Sequence, residues 1–348
     1  MNLRLAFVLI SFVLSVTTGL VLSRGGGAAG SAKSSGKPVI GLSMDTLKEE
    51  RWIADRDLFT DQARALGAEV QVLSANSDDT RQLRDVESLI TSGVNALVII
   101  PHNGEAMARA VEMAHAEGIP VLSYDRLITN AETDLYITFD NVKVGELQAR
   151  FLADKIPAGN KMRLVRIYGA KTDNNARLFK QGQDNVLQPL IEAGRVEVVF
   201  EDWAEDWKPE NAKKITNAAI TKAGQNIDAI LASNDGTAGG AIQALIEEGL
   251  SGKVLVTGQD ADLAACQRIV AGSQTMTVYK PLTLLAKRAA ELAVKLARRQ
   301  PLIAGAGTDN GRIQVPSVLL DIVAVTRDNM RETVIADGFR KEADVYGK

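Results

Sequence analysis

From Lys37 onward the chain keeps one rhythm: a short apolar run, a polar cluster, then a longer segment with helical periodicity. The apolar runs are Val39–Met44, Val70–Leu73, Ala96–Ile100, Pro120–Leu122, Leu164–Ile167, Val196–Phe200, Ala229–Ala232, Val254–Thr257 and Met276–Tyr279. Amphipathic stretches lie between them: Arg51–Leu66, Gln82–Thr91, Glu105–Glu117, Gly145–Lys155, Ala176–Ile191, Ala212–Ala223, Gly239–Glu248 and Leu282–Arg298. Runs of about four to six residues alternating with longer 3.6-period segments define βαβ units and parallel sheets. Right-handed crossovers bury such sheets on both faces. Gly67, Gly93, Gly118, Gly194 and Gly249 fall just after helical segments, where a left-handed cap is wanted.

Nine runs with no composition break suit two doubly wound parallel-sheet lobes better than one small sheet. The rhythm resets around Ile137–Asn141, which sets a first crossing between lobes there. Pro301–Gly311 reads as loop, and Ser317–Val325 as strand. Return crossings near Pro281 and Asp321 would make a multi-strand hinge. The expected organisation is an α/β fold with residues 37–143 plus 283–320 in one lobe and 144–282 plus 321–348 in the other.

Residues 1–36 stand outside that pattern. Arg4 precedes the apolar run Leu5–Leu22, and Arg24, Gly25–Gly27 and further small residues follow. A positive start, an apolar core and a small-residue linker read as a secretory signal, with an uncleaved anchor as the alternative because the run nears membrane length. No cysteine lies nearby for lipid attachment. Export predicts an oxidising compartment, and the single cysteine, Cys266, cannot form an internal disulfide. Lys+Arg 40 against Asp+Glu 43, a net charge of −3, gives no electrostatic case for nucleic acid. His102 and His115 are too few for a histidine-rich metal site.

Chemistry should sit where each strand ends, because open α/β sheets bind ligands outside their carboxyl edges. Those ends carry Asp45 with Arg51-Trp52 beyond it, Tyr124-Asp125-Arg126, Asp173-Asn174-Asn175, Trp203 and Trp207, Ser233-Asn234-Asp235, Gly258-Gln259-Asp260 and Tyr279-Lys280. Facing one another across a cleft, they would make a polar, aromatic-walled pocket. That inventory suits a sugar: carboxylates accept from hydroxyls, while Arg, Lys and Asn donate in fixed directions. An indole face covers the C–H face of a sugar ring. Charge-assisted bonds of about 1.5–3 kcal/mol each could support micromolar binding, about −8 kcal/mol, against ordering and desolvation costs.

Each of these residues also has a plain structural reading. Asp125-Arg126 would serve equally as a surface ion pair, and Trp203 is better read as a packing residue. Within Asn234-Asp235, one side chain should cap the helix that starts near Thr237 and leave the other for ligand. His102 ends a strand but has no partner that would define a catalytic role. Enzyme signatures are missing: there is no phosphate loop, no H-E-x-x-H and no G-x-S-x-G. The acids at strand ends have Arg, Lys or amide neighbours, which favours ionised, hydrogen-bonding roles over proton transfer.

Several longer strings are more specific. Glu50-Arg51-Trp52-x-x-Asp55-Arg56-Asp57, Val98–Gly104, Tyr124-Asp125-Arg126, Phe139–Ala149, Asp173–Ala176, Ala232–Asp235, Gly258–Asp262 and Thr275–Pro281 closely resemble the periplasmic D-xylose-binding proteins of bacterial ABC transporters. These belong to the broader ribose/galactose-type family of periplasmic sugar-binding proteins. The resemblance runs from about Val39 to the C-terminus. It implies a type I periplasmic binding fold without cofactor or metal. It also implies that Arg51, Asp125, Arg126, Asn175, Asn234, Asp260 and Lys280 hydrogen-bond a monosaccharide, with Trp52 and Trp207 flanking its ring from opposite lobes. The implied partners are D-xylose, an inner-membrane permease and its separate ATPase, with the receptor acting as a periplasmic monomer. Strand-end position alone gives a polar ligand; only the resemblance gives xylose. His102 departs from the family pattern, where a tyrosine is expected. Rival readings are a binding protein for another aldose such as glucose or galactose, a transcriptional repressor, and a sugar-converting enzyme.

Overall fold

The computed structural model describes residues 36–347; the expected signal segment and its linker lie outside them, Gly36 aside. The first half alternates strands and helices: β1 (Val39–Met44), α1 (Glu50–Ala65), β2 (Glu69–Ser74), α2 (Asp79–Thr91), β3 (Ala96–Ile99), α3 (Ala108–Ala116), β4 (Val121–Tyr124) and β5 (Leu135–Phe139). The second set is α4 (Asn141–Ala153), β6 (Met162–Tyr168), α5 (Asn174–Glu192), β7 (Val196–Trp203), α6 (Pro209–Ala223), β8 (Ala229–Ala232), α7 (Asp235–Glu247), β9 (Leu255–Val256), α8 (Leu263–Ala271) and β10 (Thr277–Tyr279). The chain closes with α9 (Leu282–Ala297), β11 (Ala306–Asp309), β12 (Gln314–Leu320), β13 (Val323–Val325) and α10 (Glu342–Tyr346).

Two main sheets result. One has the order β11-β12-β5-β4-β3-β1-β2, the other β7-β6-β8-β9. Every pairing within them is parallel except β11 with β12. Both sheets place their second strand beside the first and continue outward on the other side with the third and fourth. That order creates a switch point next to β1 in one sheet and next to β6 in the other, where doubly wound sheets take their ligands.

The strands read as continuous apolar runs because helices cover both faces. β3, β4, β5 and β8 are buried at every residue, whereas the edge strands β2 and β7 are partly exposed. Helices α4 and α5 meet closely: a Cβ at Gly182 would stand 1.9 Å from the Val142 carbonyl oxygen, so neither helix could retain this separation with a larger residue. Gly67 and Gly249, with φ of 80° and 67°, turn the chain out of α1 and α7 as helix-terminating glycines do.

Three expectations need correction. Pro301–Gly311 is not all loop, since Ala306–Asp309 pairs antiparallel with β12. Its residues, Ala-Gly-Thr-Asp, carry no apolar alternation, so only the hydrogen-bond ladder reveals the strand. Ser317–Val325 is not one strand. β12 pairs with β5 in the first sheet, and β13 pairs with β10 in a separate two-stranded sheet. The predicted helix at Glu105 begins later, at Ala108.

Candidate functional site

Seven chain segments at the carboxyl ends of strands converge on one small cavity. Its lining includes Arg51, Trp52, Asp125, Arg126, Asn175, Trp207, Asn234, Asp260 and Lys280, all nine residues singled out from the sequence. Four come from loops and helix starts beside the first sheet. Arg51 and Trp52 open α1, and Asp125 and Arg126 follow β4. The others belong to the second sheet or to β10. Asn175 lies in the first turn of α5, Trp207 in a short turn after β7, Asn234 after β8, Asp260 beyond β9 and Lys280 after β10.

A guanidinium holds the centre. Arg51 lies 2.8 Å from Asp125, 3.2 Å from Asp55 and 3.2 Å from Asp260. Burial opposes its charge, yet Asp125, Asp55 and Asp260 together raise its pKa well above normal. Lys280 Nζ adds a second cation 3.0 Å from Asp260 Oδ1. Burial would raise Asp125, but Arg51 and Lys280 overcome it and hold the carboxyl at about 2. Asp55 lies behind Arg51 and accepts from the Tyr124 hydroxyl as well. There burial prevails over Arg51 and lifts the carboxyl to about 6.

Arg126 organises the adjoining wall. Its Nη1 donates to Asp45 Oδ2 at 2.7 Å and its Nε faces Asp173 Oδ2 at 2.9 Å. Asp173 also accepts from the Trp207 indole N–H at 3.2 Å, so Arg126 and Trp207 share one carboxylate. Trp207 lies against Gly169, where a Cβ would come within 2.0 Å of the indole. Trp52 stacks under both cations, 4.1 Å from the Arg51 guanidinium carbon and 5.2 Å from that of Arg126. Asn175 Nδ2 donates to Asp125 Oδ1 at 3.1 Å, another tie from the second sheet to the first.

The local backbone departs from the ordinary to aim these groups. Asp125, Trp207 and Asp260 all have positive φ, at 60°, 57° and 98°. For non-glycine residues that is costly and persists only where surroundings enforce it. Gln148, fully buried on α4, supplies part of the enforcement. Its amide donates to Ser233 O at 3.1 Å and Gly258 O at 3.0 Å, fixing the loops that carry Asn234 and Asp260.

Asn234 and Asp235 divide their work differently from the expectation that one caps and the other meets ligand. Asn234 is the cap, its Oδ1 accepting from Thr237 N at 2.9 Å, and the same residue lines the cavity. Asp235 faces inward, accepting from Gln274, Thr277 and the Asp262 N–H. Trp203 stays out of the cavity and packs on Tyr168 with ring centroids 4.8 Å apart. His102 is also outside, with Nδ1 3.0 Å from Asp45.

Glu49, Asp173, Phe179 and Gln259 line the cavity without having been singled out as ligand-facing. Asp173 and Gln259 were within the strand-end strings, beside Asn175 and Asp260, and strand-end position was the available signal. Phe179 is an apolar residue on an amphipathic helix, indistinguishable by pattern from core. Among the described residues no cluster of His, Cys, Asp and Glu could hold a metal ion, and no helix is long and apolar enough to cross a membrane.

A two-sheet α/β molecule with polar strand ends gathered on one small cavity is the build of a periplasmic binding protein. The family model of the periplasmic binding protein domain matches residues 40–301, and this chain belongs to that family, with the type I fold. It is 52% identical over 307 residues to the D-xylose-binding periplasmic protein of Haemophilus influenzae, covering 88% of this chain and 92% of that one. Identity to the D-xylose-binding periplasmic protein of Escherichia coli is 49% over 335 residues, 96% and 99% of the two chains. Among solved structures, a carbohydrate transporter solute-binding protein from Chloroflexus aurantiacus in complex with D-glucose superposes with a TM-score of 0.83 at 35% identity. That match covers 88% of this chain and 97% of the other. The family is one of binding proteins rather than enzymes.

Proposed function

We propose that this chain is the extracytoplasmic receptor of a bacterial ABC sugar importer, that it binds D-xylose in the cavity, and that it delivers the sugar to a membrane permease without altering it. The observation that carries this reading is the convergence of Arg51, Asp125, Asn175, Asp260 and Lys280, from both sheets, on one cavity flanked by two indoles. The two relatives near 50% identity, both named for D-xylose, support the choice of sugar.

On this reading the two sheets and their helices are bodies that open and close about the β10–β13 region, acting as a monomer. The contacts that join them, Arg51 with Asp260, Arg126 with Asp173 and Asn175 with Asp125, exist together only when the bodies meet. A sugar bonded from both sides shifts the equilibrium toward closure, the behaviour periplasmic binding proteins exemplify. The neutral hydroxyls take hydrogen bonds from Arg51, Arg126, Asn175, Asn234 and Lys280 and give them to Asp125 and Asp260. Trp52 and Trp207 exclude water from the ring faces.

The test is calorimetric titration with a panel of D-xylose, D-ribose, L-arabinose, D-glucose and D-galactose. Micromolar or tighter binding of D-xylose, preferred over the hexoses, is expected, and the sugar should be recovered unchanged after prolonged incubation. Preference for D-glucose, the ligand in the Chloroflexus structure, would replace the pentose reading with the hexose one. Binding of none would reject the receptor reading.

A further inference from the structure

Four carboxylates line the cavity: Glu49, Asp125, Asp173 and Asp260. Arg51, Arg126, Lys280, Asn175 and Trp207 supply partners for three of them. Glu49 is different. Among the described residues its Oε2 is buried without a hydrogen-bond partner, and its other oxygen has only a loose pairing with Lys48 at 3.7 Å. A buried polar atom without a partner calls for an explanation, and one on a cavity wall is placed to receive a ligand group.

The position of Glu49 sharpens the point. It is the residue before α1, where side chains normally turn back to accept from the first helical N–H groups. Glu49 makes no such bond, although its carbonyl accepts from Trp52 N at 3.1 Å. Its carboxylate is instead near enough to Arg126 to act on that guanidinium: burial would lower the Arg126 pKa, and Asp173, Asp45 and then Glu49 raise it. Gln259 Oε1 also lines the cavity unpartnered. An amide can be turned to present its NH₂ in place of its oxygen, so that orphan oxygen has a second resolution. An ionised carboxylate has none, because both of its oxygens only accept.

We propose that Glu49 is a further sugar-contacting and specificity-determining residue, accepting a hydrogen bond from one ring hydroxyl at the Trp52–Arg126 wall of the cavity. The inference rests on the sugar-receptor reading. A ligand with a hydroxyl at that position gains an acceptor that the nine residues named from the sequence do not provide. A ligand with hydrogen or an inverted centre there leaves Glu49 desolvated and unpaired.

The experiment titrates the full chain, Glu49→Gln and Glu49→Leu with D-xylose and with its 1-, 2-, 3- and 4-deoxy derivatives, after circular dichroism has shown each variant folded. Glu49→Leu should weaken D-xylose binding at least tenfold. Glu49→Gln, which retains an acceptor oxygen, should weaken it about threefold and carries the test alone if the leucine variant fails to fold. For one deoxy sugar, the one lacking the partner hydroxyl, the variants should bind at least as tightly as wild type. A loss within twofold for D-xylose, or an equal loss for all four deoxy sugars as an indirect effect through Arg126 would give, overturns the inference and leaves the receptor reading intact. If the wild-type chain binds no aldose, the receptor reading fails and this inference fails with it.

Discussion

Arg51 and Asp260 stand 209 residues apart in the chain, yet Arg51 Nη1 lies 3.2 Å from Asp260 Oδ1. The arginine opens a helix beside the first sheet, and the aspartate follows a strand of the second. Their ion pair, with Lys280 on the same carboxylate, joins the two sheets at the floor of the cavity.

Removing the acid at that junction takes one of three carboxylates from Arg51 and leaves Lys280 with only Asp125, 3.9 Å away. Asp260→Ala is expected to weaken D-xylose binding by more than tenfold. Calorimetry checks it, and an unchanged affinity would remove Asp260 from the site. Arg51→Lys should be nearly as damaging, because the three donors of an ammonium sit on one nitrogen, whereas Arg51 reaches Asp55, Asp260 and Asp125 from Nε, Nη1 and Nη2 separately.

Gly169 serves Trp207. A methyl group there would stand 2.0 Å from the indole, so Gly169→Ala must displace the ring or the strand end beneath it. The expected outcome is at least a tenfold loss of sugar affinity and loss of most of the sugar-induced change in tryptophan fluorescence. A fluorescence titration beside Trp207→Ala checks both, since the two variants should look alike.

Acid should loosen the fold through Asp45. Burial alone would raise this carboxyl, but Arg126 and His102 hold it at about 2, below its ordinary 3.8. The native state therefore favours the ionised form, giving about 2 kcal/mol of stability that is present above pH 4 and lost as pH falls toward 2. Asp45→Asn should lower the unfolding free energy at pH 7 by about that much and show little difference from wild type near pH 2. Denaturant unfolding across the range measures it.

His102 works in the other direction. Burial would lower its pKa, but hydrogen bonding and charge from Asp45, with Asp79 adding to them, raise it above 6.5. A raised imidazole contributes stability below its unfolded pKa and loses it as pH climbs through the folded one. Thermal melts of His102→Gln should lack the gain that wild type shows when pH is lowered from 8 to 6. An identical pH profile would show that the imidazole is not charged there.

Much of the site could be read from the sequence because the βα rhythm is coarse and robust. Once strands are placed, their carboxyl ends follow, and Asp125, Asn234, Asp260 and Lys280 sit there by construction. Glu49 was hidden because it precedes a helix by one residue and looks like any acid at a helix start. Gly169 was hidden because its role is the absence of a side chain, visible only when Trp207 is seen against it. β11 escaped because its four residues carry no apolar alternation, and β12 and β13 merged because only Asp321 and Ile322 separate two strands that join different sheets. Local pattern records which face of a strand is apolar. It does not record which partner the strand finds.

The ion pairs in the cavity have one more consequence. Arg51, Arg126 and Lys280 are already matched by carboxylates of the same chain, so a neutral guest enters without disturbing the charge balance or releasing counterions. Affinity should therefore be nearly flat from low to high ionic strength. Carboxylates outnumber cations around the cavity, Glu49 among them, so a phosphorylated sugar is expected to bind more weakly than the free one.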